Sequence, residues 1–366
     1  MFNHRHYYPV LKGKKGEFMA VSHLPSEIRA NLTPFFDIPR PENEKEDHVD
    51  IYLLKKVESI RQCCGSVGTL FIDFFDFGLA LRTSSGRHYV RYSFDKLRNC
   101  GVEAIPVTGL DRDDEYNIAV AQTISVDKRG VALRLQKEDI EDPSSTKASV
   151  GNLLAGLKVK EKHAHLILDI RDMRPEDLGQ NVEDVAEFLA NFGDLRIWKT
   201  LILSASGFPQ NMGEVRQHSL QLIPRTELVL WEQVLCECKK KKLSKFPAFS
   251  DYCICHPDIL DFDPSMNPSA NIRYTLSKNW LIVKGGGLKR KIGGRISYDY
   301  DQFFVLAEKL RSHKNYRGPS FSNGDLYIQN CRKGIKGPGN LPKWREVGTN
   351  HHLTLVAEQI ANSHVI

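Results

Sequence analysis

Tyr7-Tyr8-Pro9-Val10-Leu11-Lys12-Gly13-Lys14-Lys15-Gly16-Glu17-Phe18 sets the architecture of this chain. It opens as an apolar run no longer than one strand, places Lys12, Lys14 and Glu17 in a glycine-spaced turn, and then enters an amphipathic segment. That order is strand, charged loop, helix. The same grammar recurs downstream, an apolar run closing on a charged residue ahead of a helical segment, and such repetition is how a β/α barrel reads in sequence.

Seven more runs of this kind follow, at residues 32–37, 69–73, 103–108, 130–135, 164–171, 200–206 and 246–252. Between them lie segments with helical periodicity. Residues 50–63 carry Ile51, Leu54, Val57 and Ile60, spaced by three or four so that they share one face. Segments 92–99, 117–127, 148–157, 182–192 and 228–238 fit the same role. Eight strands alternating with helices, at a repeat of about 34 residues, predict an α/β fold, a TIM-like (β/α)8 barrel over residues 1–260. A Rossmann fold would need a glycine fingerprint after the first strand, which Gly13 and Gly16 do not supply.

Barrel enzymes work at the C-terminal ends of their strands. Those ends carry Lys12, Lys14 and Glu17, then Asp37, Asp73 with Asp76, Thr108 with Asp111, Arg134, Asp169 with Arg171, Ser204 with Ser206, and Asp251 with Tyr252. Lys12, Lys14, Glu17, Asp37, Asp73, Asp169, Arg171 and Asp251 are the candidate catalytic set: cations to hold negative charge, carboxylates to act as bases or metal ligands. Mutual pairing that closes the barrel top is the competing explanation for each of them.

With 366 residues, 41% hydrophobic and 26% charged, the chain can bury one large core. No apolar run approaches roughly 18 residues, and the first six residues lack the core of a signal peptide, so no membrane span and a cytoplasmic location are expected. Eight unevenly spaced cysteines do not form a disulfide framework. The net charge of +6 is uneven: residues 257–366 hold sixteen Lys and Arg against nine Asp and Glu, whereas the rest is nearly balanced.

Residues 261–366 therefore read as a basic α+β extension packed on the barrel mouth. Two hairpin arms, 271–274 and 280–283, precede a glycine-rich basic loop holding Lys284, Lys289, Arg290, Lys291 and Arg295. A helix at 300–312, a second basic segment with Arg332, Lys333, Trp344 and Arg345, and a closing helix at 353–361 preceded by His351 and His352 complete it. Glycines let a backbone approach phosphate while lysines and arginines neutralise it, so Lys284, Lys289, Arg290, Lys291, Arg295, Arg332, Lys333, Trp344, Arg345 and His351 are candidate nucleic-acid or phosphate contacts. A solvated basic face is the plainer alternative.

The opening Tyr8-Pro9-Val10-Leu11-Lys12-Gly13-Lys14-Lys15-Gly16-Glu17-Phe18 has partners further on: Pro34-Phe35-Phe36-Asp37, Phe249-Ser250-Asp251-Tyr252 and Phe321-Ser322-Asn323-Gly324-Asp325. With the closing Trp344-Arg345-Glu346-Val347-Gly348-Thr349-Asn350-His351-His352, in this order and spacing, they resemble the beta protein family of phages and bacteria from end to end. Proteins similar to that family occur in bacterial defence regions, sometimes beside small nucleases of the PD-(D/E)XK type. The resemblance thus implies a part in antiviral defence and a nuclease partner, and it transfers no catalytic residue.

Two metal readings stay open. Cys236, Cys238, Cys253, Cys255 and His256 could hold zinc, although a Cys-x-Cys pair on a helix points its thiols apart. Asp37, Asp73, Asp76, Asp169 and Asp251 could gather Mg²⁺ or Mn²⁺ for phosphodiester chemistry. Two function classes follow: a barrel enzyme or binder acting on a nucleotide or nucleic acid, and a recognition subunit that binds nucleic acid or a phage protein for a partner nuclease.

Overall fold

A strand walled by barrel neighbours on both edges and by apolar layers on both faces needs a continuous apolar run, and all eight such runs form strands. The chain proceeds through β1 (Val10–Leu11), α1 (Lys15–Ser22), α2 (Ser26–Arg29), β2 (Phe35–Asp37), α3 (Glu46–Cys64), β3 (Leu70–Asp73), α4 (Tyr89–Asn99) and β4 (Ala104–Thr108). Next come α5 (Asp114–Asp127), β5 (Val131–Leu135), α6 (Lys137–Glu141), α7 (Pro143–Leu157), β6 (Ala164–Asp172), α8 (Leu178–Asn191) and β7 (Thr200–Ser206). The last part holds β8 (Leu220–Pro224), α9 (Thr226–Lys240), β9 (Ala248–Asp251), β10 (Ser269–Thr275), β11 (Asn279–Gly287), β12 (Lys289–Ile292), β13 (Arg295–Tyr298), α10 (Gln302–Arg311), α11 (Asn323–Asn330) and α12 (Leu341–Ala361). The computed structural model describes residues 4–42, 44–65, 68–78, 81–258, 265–292 and 295–363. The expected domain boundary at 260/261, and Gly293-Gly294 of the basic loop, lie outside the described residues.

β1 to β7 and β9 pair in parallel in the order β1-β2-β3-β4-β5-β6-β7-β9. A bond from the Tyr8 N–H to the Phe249 carbonyl, 3.0 Å, brings the eighth strand back to the first. The ring is a (β/α)8 barrel. Alternation along the strands sends Val10, Phe35, Phe71, Val107, Ile167 and Ile202 inward, where they form a buried cluster of their own. The opposite faces, including Leu11, Phe36, Ile72, Leu133, Leu168 and Leu203, pack on the helices.

Beyond β7 and β9 the connections leave the C-terminal side of the barrel, so the structure they contain starts at the mouth. β8 comes from the first connection and β10 and β11 from the second, and they form one antiparallel sheet in the order β10-β11-β8. β8 has no apolar-inward signature: Leu220 and Leu222 are 43% and 54% exposed, which hides the strand from a reading by burial. The sheet, α10 and α11 share a second core built on Ile272, Leu281, Phe303, Leu310, Ile328 and Trp344.

The closing helix is twelve residues longer than its periodicity suggests, running from Leu341 rather than 353, with Asn340 capping the Lys343 N–H at 3.0 Å. Its middle, residues 346–357, shows no apolar stripe because it is buried all round, with α1, α11 and β10 packed against the helix. Gly16 and Gly348 permit this. A Cβ at Gly16 would stand 2.5 Å from the Pro342 carbonyl, and one at Gly348 would stand 2.7 Å from the Arg273 carbonyl. Leu353, Val356, Ala357 and Ile360 join the same core as the barrel helices, so α12 serves as the eighth helix of the ring.

Candidate functional site at the barrel mouth

One step above the apolar filling, the inward positions turn polar and bring Lys12, Asp37, Asp73, Arg134, Asp169 and Tyr252 together, all buried. Arg134 is the hub. Its Nη1 donates to Asp73 at 2.8 Å and Asp37 at 3.3 Å, its Nε donates to Asp169 at 2.8 Å, and its Nη2 donates to the Tyr252 hydroxyl at 2.7 Å. The Tyr252 hydroxyl donates in turn to Asp169 at 2.5 Å, and Lys12 Nζ reaches Asp37 at 2.8 Å. Arg112, from the loop after β4, adds a contact of 3.1 Å to Asp73. Burial pushes the Asp37 carboxyl up, but Lys12 and Arg134 outweigh it and hold the group down at about 2. Asp76, half-buried, is raised by burial and by the Asp37 charge.

β6 breaks its register against β7 between Asp169 and Asp172, and Arg171 in that bulge takes φ 57°, a left-handed conformation uncommon for a side chain of its size. The bulge carries the Arg171 guanidinium to 4.5 Å from the centre of the Phe75 ring. Arg112 and Arg134 lie 4.7 and 4.8 Å from the same ring. Three buried carboxylates (Asp37, Asp73, Asp169) thus pair with three cations (Lys12, Arg112, Arg134), with Asp76 nearby and Arg171 turned to Asp258. The layer's spare hydrogen-bonding capacity is at Asp37 Oδ1, Arg112 Nε, Arg171 Nη1 and Gln136 Nε2, buried without protein partners.

Lys14 and Glu17 belong to a second cluster, where α1 meets the start of α12. Arg345 Nη1 stands 2.9 Å from Cys255 Sγ and 3.8 Å from Glu17, and Glu17 is 3.5 Å from the same sulfur. Arg273 reaches over from β10, donating to the Ile254 carbonyl at 2.7 Å. Burial, and then the Arg345 charge, lower both the Lys14 ammonium and the Arg273 guanidinium, the latter to about 10. Among the described residues, Lys14, Arg273 and Arg345 share this corner with Glu17, and Lys56 lies close enough to feel the Glu17 and Lys14 charges. A cavity of about 280 Å³ opens beside the corner, lined by the polar Arg273, Arg345, Asn271 and Ser269 together with Met212, Ile254 and Leu341.

Asp251 departs from the expected ring. Ser250 and Tyr252 take the inward positions of β9, so alternation turns Asp251 outward, toward α12. There it accepts from the Tyr7 hydroxyl at 2.5 Å and meets His352 Nε2 at 3.0 Å, with Arg225 Nη2 at 3.6 Å. Among the described residues, Asp251, Cys253 and His352 are the group whose ligand atoms converge as a metal would require. The Tyr7 oxygen already bonds to all three, at 2.5, 3.7 and 3.1 Å, and occupies the position an ion would take. The mouth aspartates, interleaved with Lys12 and Arg134, form no such group, and neither do Cys236 and Cys238 on α9.

Three expected phosphate contacts lie inside the molecule. Lys284 donates to the carbonyls of Met212 and Val215, Trp344 stacks on Phe303 at 4.9 Å and donates to the Pro338 carbonyl, and His351 is held by Asp325 at 2.7 Å and the Thr275 carbonyl at 2.8 Å. Their surroundings explain the discrepancy: glycine-rich and basic spacing marks a loop, whereas these residues lie on β11 and α12. Arg290, Lys291, Arg295, Arg332 and Lys333 are exposed, and Lys289 is half-buried. Arg112 and Arg273 carried no signal in the sequence, because one lies past a strand end and the other inside a hairpin arm.

Apart from Pro34–Asp37, which belongs to the Arg134 layer, the segments that carry the family resemblance converge on α12. Glu17 of the opening segment meets Arg345, Asp251 meets His352, Asp325 meets His351, and the Gly324 N–H donates to Asn350 at 2.9 Å. A family model described as Beta protein matches residues 7–358, nearly the whole chain. The chain belongs to the Beta protein family. No curated protein matches this family member. A solved triosephosphate isomerase from Bartonella henselae is similar at 12% identity and TM-score 0.35, over 69% of this chain and 94% of that one. The barrel assignment itself rests on the strand order and its closure. Among the described residues no helix of this Beta protein is long and apolar enough to cross a membrane.

Proposed function

We propose that this Beta family barrel binds a phosphate-bearing ligand, a nucleotide or part of a nucleic acid, at the C-terminal face of its barrel and does so in anti-phage defence. The observation that carries the reading is the corner of Lys14, Arg273 and Arg345, three cations that share Glu17 among the described residues, beside a cavity of about 280 Å³. α12 borders that cavity near its N-terminus through Leu341 and Arg345, and the helix dipole adds positive potential there. An anion there would be attracted by these cations. The defence setting comes from the family resemblance.

Calorimetric titration with orthophosphate, pyrophosphate and nucleoside mono-, di- and triphosphates tests the reading. At least one should bind, and Arg345→Ala should weaken it by about tenfold or more, the worth of a charge-assisted hydrogen bond. Absence of binding by every one of these anions at millimolar concentration would sink it.

The mouth supports recognition more than chemistry, since its three fully buried carboxylates, Asp37, Asp73 and Asp169, are each paired with a cation. On this second reading a partner nuclease cuts what the barrel recognises. Degradation of DNA, RNA or nucleotides by the purified protein with Mg²⁺ or Mn²⁺, abolished by EDTA and by Asp169→Asn, would overturn that second reading in favour of an enzyme.

A further inference from the structure

The basic loop singled out in the sequence has a shape that its composition does not reveal. β12 and β13 form a two-stranded hairpin in which Lys289 faces Tyr298 and Lys291 faces Ile296. Residues opposite one another, and residues two apart, share a face, so Lys289, Lys291, Ile296 and Tyr298 stand together on one side. Tyr298 and Ile296 are 43% and 61% exposed, and Lys291 is exposed as well. The Tyr298 ring is stacked on Tyr300, 5.7 Å between centres and 9° from parallel, which fixes it as a flat platform. Arg290, on the opposite side, is taken by Asp299.

We infer that this face binds single-stranded nucleic acid. Lys291, exposed on this face, matches a phosphate in charge. The exposed aromatic ring fits a base, and only an unpaired strand presents base faces for stacking. The stacking residue is Tyr298; Trp344, expected in that role from the sequence, is enclosed in the second core. None of the four residues lines the cavity, so this inference stands or falls separately from the proposed function.

Fluorescence polarisation of labelled dT20 and rU20 oligonucleotides, of the corresponding duplexes, and of anionic phosphatidylserine vesicles, at several salt concentrations, tests it. Single strands should bind with log K falling linearly with log salt. The Lys291→Ala variant should flatten that slope by about 0.7, one phosphate contact on a single strand. Tyr298→Ala should weaken binding roughly 5- to 100-fold, as expected for one lost stacked base, and Tyr298→Phe should restore it. The relative affinities for dT20 and rU20 identify the strand. Duplex bound as tightly as single strand with Tyr298→Ala neutral, vesicle binding without oligonucleotide binding, or no salt-sensitive binding at all would each overturn the inference.

Discussion

Asp37 and Glu227 are both fully enclosed carboxyl groups, and their surroundings drive them in opposite directions. Asp37, between Lys12 and Arg134, is held at about 2 against an ordinary 3.8. Its stabilising contribution is present above the ordinary value and is lost as pH falls from about 4 to about 2, on the order of 2 kcal/mol. Glu227 is pushed up to about 7 from 4.5, by burial and by Asp251 against the pull of Arg225, and one of its oxygens has no partner. The stability associated with its protonation is full below about 4.5 and is lost as pH rises through about 7. Glu227→Gln should therefore raise the thermal midpoint at pH 8 while leaving it nearly unchanged at pH 4. Asp37→Asn should lower the midpoint at neutral pH, because it strands the Lys12 and Arg134 charges, and should remove the acid-side loss. Thermal melts of both variants from pH 3 to 9 check the two signs, and parallel curves for variant and wild type would contradict them.

At the scale of elements, the contact between α1 and α12 builds the cationic corner, and it depends on a missing Cβ. Gly16→Ala would drive a methyl into the Pro342 carbonyl and the Glu346 amide, which would stand at 2.5 and 2.9 Å. Backbone atoms cannot yield as a side-chain tip can, so the two helices must part, at about 1 to 3 kcal/mol. Arg345 moves with them. The expected result is a lower thermal midpoint together with weaker anion binding. Gly151, on α7, has nothing within 4 Å of the same added atom, so Gly151→Ala should stabilise by up to about 1 kcal/mol through helix propensity alone. Equal effects at the two glycines, by melting and by titration, would refute this account of the contact.

For the molecule as a whole, the extension and the barrel are bound through α12. Leu353, Leu355, Val356 and Ile360 lie in the barrel's own core. At about 1.5 to 3 kcal/mol for each such side chain, their loss is on the order of 10 kcal/mol, comparable to the whole net stability of a folded protein. A chain ending at Asn340, or a fragment of residues 1–260, should therefore be insoluble or molten, with a flattened near-ultraviolet dichroism signal. A cooperative melt of fragment 1–260 would show that the barrel is complete without its last helix.

The order of elements was legible from residues alone. Eight apolar runs ending in Lys12, Asp37, Asp73 and their counterparts gave the barrel and most of its polar layer, because a strand buried on both faces leaves a continuous apolar trace and its first polar residue marks the mouth. Side-chain direction was not legible at β9, where one step of alternation separates the inward Tyr252 from the outward Asp251. Nor could periodicity show α12 from its start, since a helix covered all round has no stripe, or β8, whose leucines face outward. Which charges meet was settled by packing between distant parts of the chain: Glu17 with Arg345, Arg134 with three aspartates from three strands. Local sequence holds the propensity of each element. The partners of a buried charge depend on where the chain brings other elements past it, and here that is the return of residues 341–361 to the wall beside residues 7–22.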